Sequence, residues 1–397
     1  MTIHGCGCCL VDNLYVPVDF GSASFSAARS RRDGDGGLSP GKLVFAEDYE
    51  RFAGKPYERA LAILTDGRSP SARNLGGPSV VALANAAQLR SGFGDTFRFF
   101  GGRGEDATGD LAVDFIARLP LDEHNYVVVP GATPRTDVLS DPAFDHGHGE
   151  RSFINLIGAA GAYGPEHLGD LFWEADIIEL GGTGLVPRIH DGMTEILKRA
   201  RSKGSITFVN LVYDFRSEKA RPGEKWKLGI RDDAYALIDI LVADKEEALR
   251  TSGCSDTSAA MAWFARQGVG TVVVTEGSRN IRLQSSGALF AKLEDTTLPV
   301  SRAIDEELAA HPEKRGDTTG CGDNFAGGLL ASLAEQAGTL PRGKLDLTEA
   351  CSWAAASGGF ACFTVGGAFY ENRPGEKLEL VEPFVKRYRT QIIGEKR

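Results

Sequence analysis

The sequence predicts an α/β fold of three layers, with helices on both faces of a central, mostly parallel sheet and a small separate β-sheet beside it. Three observations point there. Short apolar runs at 176–180, 206–211, 238–243 and 271–275 alternate with helix-like segments at 188–202, 245–251 and 257–267, and such alternation builds βαβ units with right-handed crossovers. Residues 3–11 form a glycine-spaced apolar run, as a strand buried on both faces does. Segments near 15–20 and 126–157 are β-rich yet fall outside that rhythm, so they belong to a second sheet.

Taken in order, the opening strand ends at Asp12 and Asn13, and polar residues at such strand ends sit where open α/β sheets bind ligands. Residues 22–41, rich in Ser, Gly, Arg and Asp, have no usable period and read as a mobile loop. Residues 49–65 regain helical or mixed patterning. Asn74, Leu75, Gly76 and Gly77 then lead into an Ala-rich helix at 80–89. A strand at 97–100 precedes the glycine turn 101–106 and a helix through Arg118. Strands follow at 126–129 and 135–139, and 145–150 reads as a hairpin turn returning through 152–157, with His146 and His148 as turn residues. Helices at 324–335 and 348–361 complete the C-terminal half. This reading divides the chain into a discontinuous core (1–12, 50–125 and 158–397) and a β lid (13–49 and 126–157) that would exclude water from a reacting group.

Composition bounds the function. A chain of 397 residues, 42% apolar and 25% charged, buries a sizeable core. The formal charge of −10 argues against a nucleic-acid or anionic-membrane surface, which needs concentrated Lys and Arg. Seven scattered cysteines form no disulfide framework, no signal segment is evident, and a cytoplasmic setting is expected. Cys6, Cys8 and Cys9 read as small apolar residues of the first strand rather than zinc ligands. No apolar run reaches ~18 residues, so no membrane span is expected.

The stretch from Gly316 to Gly328, GDTTGCGDNFAGG, carries the chemistry. Gly320 and Gly322 let the backbone bend so that amides converge at a helix N-terminus, a natural anion site. Phosphoryl transfer needs charge stabilisation and an acceptor hydroxyl relieved of its proton, and Asp323 is placed to take that proton. A plain capping turn is the bland alternative. Asp317 already suffices as a cap, which leaves Asp323 over.

Four turns in this order, Asp12-Asn13, Asn74 to Gly77, Gly101 to Gly109 and Gly316 to Gly328, resemble the ribokinase (PfkB) family of carbohydrate kinases over nearly the whole chain. The resemblance implies a ribokinase-like fold, ATP and Mg²⁺ as cofactors, and a small sugar as partner. It implies Asp323 as general base and the amides of Gly320, Cys321 and Gly322 as anion hole, with Cys321 where alanine is usual. Asp12, Asn13, Asn74, Gly76 and Gly77 would meet the acceptor. Asp244 and Glu247 match an N-x-x-E element in which Glu247 organises Mg²⁺ through water; Asp244 replaces asparagine. Thr275, Gly277 and Ser278 would hold nucleotide phosphates and ribose, and Gly366 and Gly367 would close over adenine. Asp317 and Thr319 resemble the monovalent-cation (K⁺) site of some members, and Asp317 reads equally as a turn cap. Val81 and Gly181 depart from the usual sugar contacts, and the segment between Asp12 and Gly76 is long, enlarging the lid. Dimerisation through the lid sheet is a family-level expectation.

The leading expectation is therefore a kinase acting on a hydroxymethyl group of a sugar or sugar acid. A nucleoside kinase is the alternative within the class, and a non-catalytic binding protein of the same fold the alternative outside it. A dinucleotide-dependent oxidoreductase lacks its third glycine and its acidic residue.

Overall fold

The computed structural model describes residues 1–32 and 34–395. In chain order the strands are β1 (Thr2–Gly7), β2 (Leu10–Tyr15), β3 (Leu43–Phe45), β4 (Ala72–Gly76), β5 (Thr96–Arg103), β6 (Asp122–Val128), β7 (Arg135–Asp141), β8 (Glu150–Leu156), β9 (Ile177–Gly181), β10 (Ile206–Asn210), β11 (Ile240–Asp244), β12 (Thr271–Thr275), β13 (Asn280–Ser285) and β14 (Leu293–Pro299). They form a nine-stranded sheet in the order β14-β13-β12-β11-β10-β9-β1-β5-β6 and a five-stranded one in the order β3-β8-β7-β2-β4. In the large sheet β6 through β12 run parallel, and β13 and β14 extend it antiparallel.

Both faces of the large sheet are buried, and the period of two decides which residue goes where. Ile177, Phe208, Ile240 and Val242 face a core shared with helices Pro78–Leu89, Cys321–Ala337 and Leu347–Phe360. Ile178, Val209, Leu241 and Ala243 face the opposite core with helices Met193–Ser202, Lys245–Ser252 and Thr257–Arg266. A third core, under the small sheet, gathers Phe20, Phe25, Leu38, Tyr49, Leu61, Leu139 and Ile154. Among the described residues no helix is long and apolar enough to cross a membrane.

Several expectations need correction. The run 3–11 is not one strand: β1 ends at Gly7 and the chain crosses through Cys8 and Cys9 into β2 of the other sheet. At Gly7 a Cβ would stand 1.8 Å from the Gly181 carbonyl oxygen, so only glycine lets the chain leave there. Asp12 therefore belongs to the small sheet. Residues 126–128 lie in β6 of the large sheet, beside β5, so the second sheet resumes only at β7. Conversely 50–76, expected in the core, supplies β4 and helices Ala46–Ala53 and Tyr57–Leu64, which pack on the small sheet.

The expected mobile loop at 22–41 is structured around buried anchors. Ser22 caps helix Ala23–Ala28, Arg29 bridges Leu38, and Asp35 accepts from the amides of Arg31, Arg32 and Gly37. Phe25 stacks on Phe20 at 4.0 Å, and Leu38 is fully buried; Asp33 lies outside the described residues. The expected helix 188–202 breaks at Gly192 into Pro187–Asp191 and Met193–Ser202. The hairpin turn at 145–150 is as expected, with Asp145 and His146 at φ 50° and 60°. Strands β13 and β14 and helices Arg302–Ala310 and Glu376–Glu395 were not anticipated.

Candidate active site

The helix Cys321–Ala337 opens on Gly320 at φ 76°, where a Cβ would lie 2.5 Å from the Gly367 Cα. Only glycine makes this turn against that neighbour. The Cys321 amide donates to the Thr318 carbonyl at 3.3 Å, so it is partly engaged. The next amides, of Gly322 and Asp323, stand in the first helical turn, where no intrahelical acceptor exists. Gly322 is exposed, with nothing within 4 Å of the place its Cβ would take. The positive end of the helix thus faces open space, ready for an anion.

Asp323 is half-buried and its carboxylate makes no hydrogen bond or ion pair with the described residues; desolvation lifts its pKa to about 7. Asp12 lies within electrostatic reach, and its own carboxyl is also raised to about 7, by burial first and then by Asp323 and Asp317, against a hydrogen bond from Thr136 and the charge of Arg151. Two half-buried carboxylates, one on β2 of the small sheet and one in the first turn of helix Cys321–Ala337, thereby stand near each other. On the sheet's far side Asp244 and Glu247 form a capping box: the Glu247 amide donates to Asp244 and the Asp244 amide to Glu247, each at 2.8 Å. Desolvation and the Asp244 charge raise the Glu247 pKa, and Asp323 adds to it. This uncompensated acidity suits a divalent cation.

Glu179, fully buried on β9, accepts from the Ser79 hydroxyl at 2.6 Å through one carboxylate oxygen and leaves the other without a partner. Burial lifts its pKa to about 8. A Cβ at Gly181 would lie 2.1 Å from the unpartnered oxygen. The side chain missing at 181 is thus accounted for, because the Glu179 carboxyl fills its space.

The anion turn is held from behind by residues the sequence reading missed. Asn324 donates to the carbonyls of Gly320 and Gly367, each at 2.9 Å, and accepts from Lys377 Nζ at 2.8 Å. Lys377, from the unanticipated C-terminal helix, is only 2% exposed, and burial lowers its pKa to about 7. Such a lysine is uncharged above that pH in the fold but charged up to ~10.4 when unfolded. Its stability contribution is therefore intact above ~10.4 and lost as pH falls toward 7. Lys377→Met removes this dependence: the stability of the variant relative to the parent should rise by on the order of 3 kcal/mol between pH 10 and pH 7 in denaturant unfolding, with kcat reduced roughly tenfold as Asn324 loosens. A difference independent of pH would contradict the assignment.

Sequence-expected residues fall into two groups. Gly76 borders Asp12, whose carboxylate a Cβ there would meet at 2.2 Å, while Gly77, at φ 110°, lies against the Cys8 and Cys9 backbone. Asn13 does not face the same way as Asp12, since neighbours on a strand face opposite ways; it donates to Asp137 at 2.9 Å and accepts from Arg73 at 3.1 Å. Asn74 is spent on the C-terminal loop, donating to the Val365 carbonyl at 2.8 Å and to that of Ala368 at 3.4 Å. Gly366 and Gly367 are thereby held beside the anion turn. Val81 is buried behind Gly367. Thr275 ends β12 in register with Asp244, and Gly277 and Ser278 follow, exposed.

Asp317 accepts from the amides of Thr319 at 2.9 Å and Gly366 at 3.4 Å, and Arg151 of β8 reaches across to Thr319 at 2.9 Å and Asp317 at 3.6 Å. The expected cation contacts thus engage an arginine from the other sheet. In the turn after β5, Asp106 caps helix Ala107–Ile116 and clamps the Thr133 amide at 2.8 Å and its hydroxyl at 2.7 Å, a structural use of a turn that looked ligand-suited.

No curated protein sequence matches the chain. Its fold is similar to a ribokinase from Thermotoga maritima (TM-score 0.62, 19% identity, covering 97% of this chain and 99% of the other). It is likewise similar to the adenosine kinase from Sinorhizobium meliloti (TM-score 0.65, 20% identity, 96% and 98%). A ribokinase-like protein of E. coli, solved in complex with ATP and Mg²⁺, matches with TM-score 0.63 and 18% identity over 97% and 99%. The pfkB family carbohydrate kinase profile matches residues 79–372. That match begins just after Gly76 and Gly77, covers the capping-box helix and the anion turn, and the chain belongs to the pfkB family of carbohydrate kinases.

Proposed function

We propose that this protein transfers the γ-phosphoryl group of ATP, with Mg²⁺, to a hydroxymethyl group of a small sugar or sugar acid. The observation that carries the reading is Asp323: a carboxylate with no partner among the described residues, raised to about 7, at the mouth of a helix whose Gly322 and Asp323 amides have no intrahelical acceptor. At pH 7.5 such a group is mostly ionised yet basic enough to take a proton from an acceptor hydroxyl. Asp12 and the Gly76-Gly77 backbone would orient that acceptor, while the amides of Gly320 to Gly322 and the helix dipole stabilise the transferring group. The Thr275 to Ser278 turn and the Gly366-Gly367 loop would hold the nucleotide.

Glu247, through water, and Asp244 would hold Mg²⁺, whose charge neutralises phosphate oxygens during transfer. Asp317 and Thr319 are the candidate K⁺ contacts. The small sheet, which carries Asp12 and Arg151, would act as the lid that excludes water.

A nucleoside acceptor is the second reading, favoured by the likeness to adenosine kinase from Sinorhizobium meliloti. ADP release from ATP and Mg²⁺ over a panel of sugars, sugar acids and nucleosides tests both. Turnover with a sugar supports the proposal, and a preference for adenosine overturns its sugar assignment. Calorimetric binding without any transfer would leave a binding protein in its place.

A further inference from the structure

The departure within the glycine turn, Cys321, has a neighbour of its own kind. Its Sγ lies 3.6 Å from that of Cys362, and both side chains are half-buried. Cys6, Cys8, Cys9 and Cys351 are sealed in cores, and Cys254 is half-buried elsewhere. Cys362 sits in the single turn Ala361–Phe363, and its carbonyl accepts from the Gly316 amide at 2.8 Å. The two sulfurs therefore join the segment that starts the anion turn to the residue that ends it. The neighbouring Cys321 thiol favours a thiolate at Cys362 first, and the Arg315 guanidinium adds to this, against burial and the Asp305 and Asp317 carboxylates.

We propose that Cys321 and Cys362 form a modification site, a dithiol that exchanges with a low-molecular-weight disulfide of the glutathione class and locks the anion turn as an intramolecular disulfide. The Cys362 thiolate attacks one sulfur of the small disulfide, forming a mixed disulfide and releasing one small thiolate. Cys321 then gives up its proton and attacks Cys362 Sγ, releasing the second small thiolate. Two protein thiols are oxidised, one small disulfide is reduced to two thiols, and the electron pair passes from protein to small molecule. From 3.6 Å the sulfurs must close by about 1.5 Å to disulfide length. That movement drags the first residue of the helix away from where its amides serve an anion. The covalent step stands apart from the kinase reading; its effect on turnover rests on it.

The test treats the full chain with oxidised glutathione, removes the reagent, and maps peptides without reduction. A linked 321–362 peptide is expected, reversed by dithiothreitol, with turnover roughly 10–100-fold lower while the link persists. Cys362→Ser should keep basal turnover and lose both the link and the sensitivity; Cys254→Ser should retain both. Glutathione adducts without a 321–362 link would overturn the proposal, as would equal sensitivity in Cys362→Ser. A link that leaves turnover unchanged overturns the locking of the turn. Should no acceptor support turnover at all, the kinase reading fails, and the linked peptide alone decides the modification site.

Discussion

Asp323→Asn is expected to lower kcat by roughly 10³-fold while leaving the KM for both substrates within a few-fold, because the amide keeps the shape of the carboxylate but cannot accept a proton. The same change has a signature in stability. The Asp323 pKa stands at about 7 in the fold against ~3.9 in an unfolded chain, so the charged form carries a folding penalty. That penalty is absent below the unfolded value and complete once pH has risen past the folded one. Asparagine escapes it. After solvent screening of a half-exposed group, the variant should be more stable than the parent by on the order of 1–2 kcal/mol at pH 8, with no gain near pH 4. Urea unfolding at both pH values, alongside initial rates, reads both effects. A near-normal kcat would remove Asp323 from the role of base, and a stability gain equal at both pH values would remove desolvation as the cause of its shift.

Gly320→Ala should damage turnover severely. A left-handed residue with a side chain costs roughly 1–2 kcal/mol, and here the added carbon meets the Gly367 Cα at 2.5 Å, backbone that cannot rotate away. Either Gly320 leaves its φ of 76° or the 366–367 loop retreats, and in both cases the following amides swing off the anion position. Losing one such donor typically costs 10²–10³ in kcat, so a fall of about 10²-fold or more is expected, with a thermal midpoint lower by several degrees. Gly322→Ala is the control, since nothing crowds its Cβ. If both variants behaved alike, the close approach to Gly367 would not be what governs the turn.

What could be read before the structure, and what could not, follows from range. The strands from 177 to 275 and the turn at 316–328 announce themselves through local period and local glycine placement, and these features lie where expected. The break between β1 and β2 was invisible because Cys8 and Cys9 are as apolar as a continuing strand; only the Gly181 backbone forces the exit at Gly7. Residues 22–41 looked unstructured because Phe25 and Leu38 obey no period, and the core they join includes Leu139 and Ile154, more than a hundred residues away. Asn13 and Asn74 were assigned by position, whereas the facing of a strand residue depends on register, and their hydrogen bonds go to Asp137 and the 365–368 loop instead. Lys377 is the clearest loss. A lysine in a charged C-terminal helix interrupted by Pro383 reads as solvated, and its partner Asn324 stands 53 positions earlier.

The central place of β1 has a consequence for how the chain is made. Its two hydrogen-bonded neighbours, β5 and β9, end at Arg103 and Gly181, so this strand, made before both, is flanked on its two edges only after the chain has grown from Gly7 to Gly181. At ~5–20 residues per second, synthesis leaves it waiting roughly ten seconds or more. Throughout that interval Cys6 remains open to chaperones and electrophiles. In stalled nascent chains, maleimide labelling of Cys6 should persist until Gly181 has emerged and cease thereafter.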